Sequence, residues 1–361
     1  MKAILALVMA LIFAPALGWT APPWTPAGPL YPDRHQGDFI LHDFRFQSGE
    51  RLASLRIHYL TFGRPRRDAA GHVVNAVLIL HGTGGSGRQF LRPQFADVLF
   101  GPGELLDARK WYIILPDDIG HGRSSKPSDG LREKFPHYDY HDMVEAEHAL
   151  VAQGLGVDHL RLVMGTSMGC MHSFMWGEAW PRMMDALMPL ACLPVPIAGR
   201  NRVWRDMIVR AIRTDPAYDG GNYSKEPAAG LQTAADILAI AGSSARQMQK
   251  SLATPAKADA WLQAFLAREV PSLDANDLIW QVESSRDYDP SAGLSRITAR
   301  VMWINSADDF INPPELGIAQ RQAARLRHGR FVLLPISDLT HGHGTHTWAA
   351  AWKQYLAELL R

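Results

Sequence analysis

The segment LRLVMGTSMGCMHSFMWGEAW, residues 160–180, joins an apolar, strand-like run to a helical pattern through a sharp turn at Ser167. Glycines two residues before and after the serine leave room for such a turn, which is typical of a nucleophile elbow. The turn would raise the serine hydroxyl out of the sheet, and the helix N-terminus would place partial positive charge beside a forming oxyanion. The pattern G-x-S-x-G arises by chance in about one chain in ten of this length. The interpretation therefore depends on partners elsewhere in the chain.

An orienting acid should follow the serine along the chain, in the loop after a later strand. Asp308 and Asp309 come shortly after the apolar run 301–304. We favour Asp309, which precedes Pro313 by four residues, a spacing common in loops of this kind. The acid would accept the histidine N–H and stabilise the imidazolium. Asp308 stays open as the alternative, and both aspartates could instead cap the turn.

Three histidines, His341, His343 and His346, crowd the segment before a helix predicted at 345–360. The catalytic base must stand in the loop, and His343 is flanked by glycines just before the helix. We therefore predict His343 as the base. A zinc site is the alternative, since imidazole binds zinc well, but no further ligand pattern accompanies the three residues and we predict no metal.

The loop after the apolar run 73–80 reads HGTGGSG. An oxyanion hole needs two backbone N–H donors, and we predict those of Met168 and Thr83, with Gly82 as the next choice for the second. The same loop matches G-x-G-x-x-G, and Asp117 ends the next strand roughly where a ribose-binding acid would lie. A dinucleotide-binding oxidoreductase is thus a competing interpretation. It leaves the elbow, the acid loop and the late histidine without a role, so we predict no cofactor.

The composition is that of an ordinary globular protein: 361 residues, 47% hydrophobic and 20% charged, with a formal net charge of +1. This length suffices for one large domain with a sizeable core. The near-neutral charge gives no electrostatic case for nucleic acid or for an anionic membrane surface. We expect a small-molecule acyl ester as the partner, and a homodimer stays open.

The N-terminus has the pattern of a secretory signal peptide, which we assign to residues 1–18. Lys2 precedes an apolar run at 3–13, and the small residues of ALG, 16–18, form a cleavage site. The apolar run is short for a transmembrane span, although an uncleaved anchor is the alternative. We expect a periplasmic or secreted protein with no stable membrane insertion after processing.

The chain has two cysteines. Cys170 opens the helix after the elbow, and Cys192 closes the apolar run 186–192. These places can be neighbours in an α/β sheet, so one disulfide is a reasonable expectation in an oxidising compartment. Two small buried thiols packed as apolar residues are an equally good interpretation.

Apolar runs alternate with helical patterns along most of the chain, which indicates a mostly parallel, doubly wound sheet. An alternating hairpin over 39–62 comes first, and a helix is predicted at 141–155. The stretch 196–294 breaks this rhythm with a helical pattern rich in Trp and Met. We interpret it as a helical cap inserted between the sixth and seventh strands. The predicted domains are core residues 19–196, cap residues 197–294 and core residues 295–361.

Three segments together resemble a known family: GTSMGCMHSFMW from Gly165, AIRTDPAYDGGNYSKEPAAGLQTA from Ala211 and LDANDLIWQVESSRDYD from Leu273. The chain resembles the α/β-hydrolase fold superfamily and, within it, the homoserine O-acetyltransferase-like branch. The likeness extends from about residue 57 to the C-terminus. It implies an α/β-hydrolase fold with Ser167 as nucleophile, Asp309 as acid and His343 as base.

The chain departs from that branch at three positions. The transferases typically carry arginine where this chain has Val209, an acid where it has Gly344, and proline where it has Thr166. An amino-acid acceptor would thereby lose two charged anchors, and acetyl-CoA is not expected outside the cytoplasm. We therefore predict an exported serine hydrolase that acts through an acyl-enzyme, most simply a carboxylic ester hydrolase. The alternatives are an acyltransferase with an acceptor other than homoserine and a non-catalytic binding protein on this fold.

Overall fold

The computed structural model describes residues 33–361, so the predicted signal peptide at 1–18 lies outside the described residues. Within them, eight strands form one sheet in the order β1-β2-β4-β3-β5-β6-β7-β8. The six strands from β3 to β8 are parallel, and β1 and β2 add an antiparallel edge. The strands are β1 (His35–Arg45), β2 (Arg51–Phe62), β3 (Ala76–Leu80), β4 (Tyr112–Pro116), β5 (Leu162–Thr166), β6 (Ala186–Leu190), β7 (Arg300–Ser306) and β8 (Gly329–Leu334).

The four central strands, β3 to β6, are each five residues long and are buried along their whole length. Continuous apolar strands of this kind belong in a parallel sheet whose two faces are both covered by helices. Apolar side chains accordingly form a large core on each face of the described sheet. The predicted mostly parallel, doubly wound architecture is confirmed.

Helices α4 to α8 lie between β6 and β7, and we call them the cap helices. The helical insertion predicted between the sixth and seventh strands is therefore present. The domain limits drawn at 196/197 and 294/295 stay predictions. The helices are α1 (Pro93–Leu99), α2 (Tyr140–Ala149), α3 (Met168–Ala179), α4 (Gly199–Arg213), α5 (Ala228–Ala241), α6 (Ala245–Ser251), α7 (Pro255–Glu269), α8 (Ala275–Glu283), α9 (Ile318–Ala323) and α10 (Lys353–Leu359).

Two predicted elements differ from the structure at their ends. The apolar run 73–80 belongs to the sheet only from Ala76, because the residues before it pair with an earlier segment instead. Val73 bridges Arg67, the Val74 N–H donates to the Arg66 carbonyl, and the Asn75 side chain accepts the Arg66 N–H. The helix predicted at 141–155 begins one residue earlier, behind a capping box, and its last turn is π-helical rather than α-helical.

The helix predicted at 345–360 is wrong over its first half. Two 3₁₀ turns, Gly344–Thr347 and Ala349–Ala351, stand there, and only α10 is α-helical. The Thr345 hydroxyl accepts the N–H of His341, four residues earlier, at 2.8 Å. This side-chain bond competes with regular helical pairing and closes a tight loop instead. The loop carries the histidine predicted as the base.

Cys170 and Cys192 form a disulfide, with their Cα atoms 5.8 Å apart. The bond joins the first turn of α3 to the residue shortly after β6. The sequence left open a disulfide or two buried free thiols, and the structure contains the disulfide. It fastens the elbow helix to the neighbouring strand just behind Ser167.

Candidate active site

The turn between β5 and α3 is strained at Ser167, whose φ and ψ are 54° and −109°. A non-glycine residue in this region is stabilised only by its surroundings, and such strain clusters at functional sites. The flanking glycines make the turn possible, because a Cβ at Gly165 would overlap the Gly169 carbonyl and a Cβ at Gly169 would overlap the carbonyl of Leu80. The serine is half-buried and stands at the N-terminal end of α3.

The three residues predicted as a triad lie together at the carboxyl edge of the sheet. His343 Nε2 is 2.8 Å from Ser167 Oγ. On the other side of the ring, His343 Nδ1 is 3.0 Å from Asp309 Oδ2 and 3.1 Å from Oδ1. His343 is 8% exposed and Asp309 2%, so both are shielded from water while one side of the serine stays open.

Asp309 is held as a carboxylate. Burial alone would raise the pKa of Asp309, but the charge and hydrogen bond of His343 and the bonds from Asn312 outweigh it, and the net pKa is lowered. The carboxylate accepts the N–H of Ile311 at 2.8 Å, the N–H of Asn312 at 3.1 Å and the Asn312 side-chain amide at 2.9 Å. An ionised acid in this position can orient an imidazole and stabilise its charged form.

Asp308 has a different set of partners. Its carboxylate accepts hydroxyl hydrogen bonds from Ser306 and from Ser244, the latter at the start of α6, and the backbone N–H of Gly342 at 3.0 Å. It therefore connects a cap helix to the histidine loop, and Asp309 rather than Asp308 faces His343.

The other two histidines of the loop point elsewhere. His341 stacks on Trp348, with ring centroids 3.9 Å apart. His346 is edge-on to His343 at 5.2 Å, and burial, together with the charge of His343, lowers its pKa to about 3. The three imidazoles do not converge on one point. A potential metal-binding group found among the described residues lies elsewhere, beneath the elbow.

That group consists of Asp118, Glu147 and His172, whose potential ligand atoms lie within 4.8 Å of one another. Glu147 Oε1 is 2.8 Å from His172 Nδ1, and Glu147 Oε2 accepts the indole N–H of Trp176 at 2.5 Å. Burial raises the pKa of Glu147 to about 7, raises that of Asp118 well above its usual value and lowers that of His172 to about 4. Desolvation thus favours neutral side chains here, which suits a hydrogen-bonded support for α3.

The loop after β3 passes directly beside the nucleophile. A Cβ built on Gly82 would lie 3.9 Å from Ser167 Oγ, and the N–H of Gly169 donates to the His81 carbonyl at 2.9 Å. The Met168 N–H is at the first position of α3, where no intrahelical acceptor exists. Met168 directly follows the serine and Thr83 directly follows Gly82 in this loop, and their roles as oxyanion donors stay predictions.

The glycine-rich loop does not continue as a dinucleotide-binding turn. It enters a five-residue 3₁₀ turn, Gly87–Leu91, rather than a full helix. The Asp117 carboxylate accepts the N–H of Gly87 at 2.8 Å and the N–H of Arg123 at 2.9 Å. The acid is thus engaged in holding two loops, which favours the oxyanion interpretation over ribose binding.

Two contributors were not predicted from the sequence. Asn312 bonds to the Asp309 carboxylate and to the Ala191 carbonyl, so it fixes the acid loop against the end of β6. His81 accepts the N–H of Asp118 at Nε2 and donates from Nδ1 to the Gly82 carbonyl, which holds the oxyanion loop. The only sequence signal for either is a polar residue at the end of a buried strand or beside a candidate acid.

The positions that depart from the transferases have distinct surroundings. Val209 is buried on α4, at 5% exposure. No described atom beyond the adjoining residues lies within 4 Å of a Cβ built on Gly344, so a side chain at this position would meet no other part of the chain. The Thr166 hydroxyl accepts the side-chain amide of Gln89 at 2.8 Å, which ties β5 to the segment after the oxyanion loop.

Known proteins share the family and the fold of this chain. Residues 77–359 match the model of the alpha/beta hydrolase family. The chain belongs to the α/β-hydrolase family. It is 32% identical over 311 residues to a homoserine O-acetyltransferase of Moorella thermoacetica, covering 74% of this chain and 80% of the relative. It is 28% identical over 279 residues to a probable acyltransferase of Methanothermobacter thermautotrophicus, covering 77% and 84%.

Solved structures carry the same fold. An acetylester hydrolase from Corynebacterium glutamicum superposes with a TM-score of 0.79 at 22% identity, covering 90% of this chain and 96% of that one. A homoserine O-acetyltransferase from Bacillus anthracis gives 0.77 at 19% identity, covering 91% and 98%. The predicted likeness to the homoserine O-acetyltransferase-like branch is confirmed, and the chain is an enzyme of the α/β-hydrolase type.

Proposed function

We propose that this chain is an exported serine hydrolase that cleaves carboxylic esters through an acyl-enzyme on Ser167. The observation that carries the proposal is the continuous hydrogen-bonded series from Ser167 through His343 to Asp309. The half-buried serine supports it, since the hydroxyl is both activated and accessible. Its neighbours supply the remaining parts of an acyl-transfer site.

In the acylation step, Ser167 Oγ attacks the ester carbonyl while His343 Nε2 takes the hydroxyl proton. The Asp309 carboxylate holds Nδ1–H and stabilises the imidazolium. The N–H groups of Met168 and Thr83 bind the oxyanion, helped by the positive end of α3. The intermediate then collapses, the C–O bond to the alcohol breaks, and Nε2–H protonates the leaving alcohol.

In the deacylation step, neutral His343 accepts a proton from water as the water oxygen attacks the acyl-serine. The second tetrahedral intermediate breaks to a carboxylic acid, and the proton returns to Ser167 Oγ. Water is the favoured acceptor because Val209 and Gly344 offer no charge to an amino-acid acceptor.

Acyl transfer is the second candidate, and the similarity to a probable acyltransferase and to homoserine O-acetyltransferases favours it. The two reactions share the acyl-enzyme and differ only in the second nucleophile. Adding alcohols or amines to a steady-state assay separates them. Free acid as the sole product supports hydrolysis, whereas a new ester or amide in proportion to the added acceptor supports transfer.

Export rests on the pattern of residues 1–18. No helix within residues 33–361 is long and apolar enough to cross a bilayer. We infer cleavage after residue 18 and a periplasmic or secreted location. Expression of the full chain in a bacterium, followed by fractionation and N-terminal sequencing, tests this: a mature N-terminus at Trp19 in the periplasm or medium is expected, and retention of Met1 in the cytoplasm contradicts it.

The activity is tested with p-nitrophenyl acetate and butyrate. The wild-type enzyme should release p-nitrophenol, and Ser167→Ala should lower kcat roughly 10⁴- to 10⁶-fold, because the triad acts as a unit. A fluorophosphonate probe should label the wild type and not the variant. Equal rates for the two proteins would exclude Ser167 as the nucleophile.

A further inference from the structure

A buried arginine stands beside the oxyanion loop. Arg205 lies on α4, one of the cap helices, and is 3% exposed. Its Nε donates to the Asn201 side chain at 3.0 Å and its Nη1 to the Ser285 hydroxyl at 3.1 Å. The guanidinium also lies 4.8 Å from the ring centre of Trp204. All of these contacts are with neutral groups.

No carboxylate within residues 33–361 forms an ion pair with Arg205. Burial lowers the pKa of its guanidinium, and the like charge of Arg202 lowers it further. A charge that is buried without a counter-ion is destabilising, so buried ions in proteins are normally paired. Arg205 therefore lacks the anionic partner that a buried guanidinium normally has.

The groups around Arg205 are rich in hydrogen-bond donors. Within the described chain, the Thr83 and Tyr140 hydroxyls and the Trp204 indole N–H are buried and have no hydrogen-bond partner. Buried polar atoms of native proteins are nearly always satisfied, by protein, water or ligand. Unsatisfied hydroxyl and N–H groups around an unpaired guanidinium favour an anion over a cation or an apolar group.

These groups adjoin the reacting centre. Burial raises the pKa of the Tyr140 hydroxyl, and Arg205 and the Thr83 and Ser285 hydroxyls lie near enough to offset part of that rise, although none of them meets the geometry of a hydrogen bond to it. Thr83 follows Gly82, whose Cβ would lie 3.9 Å from Ser167 Oγ. An anion held by Arg205 would therefore sit next to the oxyanion loop and close to the group being transferred.

We propose that Arg205, with the hydroxyls of Thr83 and Tyr140, binds a carboxylate carried by the ester substrate. The guanidinium matches a carboxylate in shape and charge, and the hydroxyls complete its hydrogen bonding. The inference rests on the proposed function and narrows its substrate class to esters with an anionic group. The carboxylate belongs either to the acyl part or to the alcohol part of the ester.

Matched pairs of esters test the proposal. Monoethyl adipate against ethyl hexanoate places the charge on the acyl side, and 4-acetoxybutanoate against butyl acetate places it on the alcohol side. We expect kcat/KM to favour the charged member of one pair by roughly 10- to 100-fold, the effect of a hydrogen bond to a charged group. The pair that responds identifies the side of the ester that faces Arg205.

Variants assign the preference to this residue. Arg205→Met should remove the preference for the charged ester. The loss of kcat/KM on the charged ester should exceed the loss on its neutral partner by roughly 10-fold or more, mostly through a higher KM. Arg205→Lys should keep part of the preference, because the charge remains without the planar fork. Arg210→Gln on the exposed side of the same helix is the control and should leave the ratio of the two rates unchanged.

Binding is measured separately from turnover. In Ser167→Ala, monoethyl adipate or 4-acetoxybutanoate should raise the melting temperature more than its neutral partner, and Ser167→Ala/Arg205→Met should lose that difference. Equal rates for charged and neutral esters in the wild type, together with equal thermal shifts in Ser167→Ala, would overturn the proposal while leaving ester hydrolysis intact. A shift that persists without Arg205 would also overturn it. Absence of any Ser167-dependent hydrolysis would instead reject the proposed function.

Discussion

At the scale of single residues, the choice between two adjacent aspartates decides how the base is oriented. The sequence favours Asp309 by its distance from Pro313 and leaves Asp308 open. In the structure the two carboxylates have separate partners: Asp309 faces the imidazole of His343, and Asp308 faces Ser244 and the backbone of the histidine loop. Sequence spacing favours one aspartate but does not exclude the other, because neighbouring side chains point in directions that only the loop conformation fixes.

Asp309→Asn should lower kcat by roughly 10⁴-fold on a neutral ester, because the amide cannot stabilise the imidazolium and favours the wrong tautomer. Steady-state kinetics with p-nitrophenyl acetate measure this loss. Asp308→Asn is the matched control and should lose less than roughly 10-fold, since it does not contact the ring. A larger loss for Asp308→Asn than for Asp309→Asn would reverse the assignment.

The histidine loop also depends on one backbone conformation. Gly342 has φ of +60°, and a Cβ there would overlap the carbonyl of Ser243 in the connection between α5 and α6. Gly342→Ala should therefore destabilise the protein by about 1–3 kcal/mol and reduce ester hydrolysis, because His343 is the next residue. Urea unfolding and kcat/KM measure the two effects.

Gly344→Ala is the control for that change. It is the same substitution two residues later, where no described atom beyond the adjoining residues lies within 4 Å of the added methyl group. Its stability should stay within about 0.5 kcal/mol of the wild type. Equal destabilisation by both alanines would show that contact with the cap helices does not hold the loop.

At the scale of elements, the strands could be predicted well and the C-terminal helix could not. Buried parallel strands can be recognised in a sequence as short apolar runs, and β3 to β6 follow that rule. The segment after His343 has a helical composition, yet Thr345 bonds back to His341 and breaks the first turns. The periodicity of apolar residues does not reveal a single side-chain hydrogen bond of this kind. The wrongly predicted helical turns therefore lie next to the catalytic histidine.

The disulfide between α3 and β6 should contribute about 3 kcal/mol to stability, given the 22-residue separation of Cys170 and Cys192. Replacing both with serine should lower the midpoint of urea unfolding by a corresponding amount, and reduction of the wild type should give the same shift. Thiol titration of the unfolded, non-reduced enzyme is the direct control. Two free thiols, or no change in the midpoint, would contradict the assignment.

At the scale of the whole molecule, the mostly parallel, doubly wound sheet and the position of the cap helices between the sixth and seventh strands could be predicted from the chain. The sequence does not predict which polar residues from distant segments come together. Arg205 on α4, Thr83 after β3 and Tyr140 on α2 come from three elements, and only Thr83 belongs to a motif that the sequence reveals. Their proximity follows only from packing of the cap helices on the sheet.

Buried ionisable groups should make the stability of the whole molecule depend on pH. The folded state raises the pKa of Glu147 from 4.5 to about 7, so it binds the proton more tightly than the unfolded chain does. This contribution is fully present below pH 4.5 and is lost as the pH rises from there through about 7, after which it no longer changes. His172 acts in the opposite sense, because its lowered pKa destabilises the fold as the pH falls below about 6.5.

Glu147→Gln isolates the first effect. Between about pH 5 and pH 8, the free energy of unfolding of the wild type should fall relative to that of the variant, whatever the variant's overall stability. Glu145→Gln on the exposed face of the same helix should follow the wild-type curve. Parallel curves for the wild type and Glu147→Gln would show that Glu147 does not gain a proton in the folded state.

The central claim is that Ser167 carries the acyl group, and a rapid-quench experiment tests it most directly. The enzyme is mixed with excess p-nitrophenyl acetate, quenched in acid within the first turnover and digested, and the peptide that spans residue 167 is examined by tandem mass spectrometry. The account predicts an acetyl group on the Ser167 oxygen that disappears on further incubation in water and is absent from Ser167→Ala. An unmodified Ser167 during sustained turnover, or an acetyl group on another residue that forms and decays at the turnover rate, would contradict it.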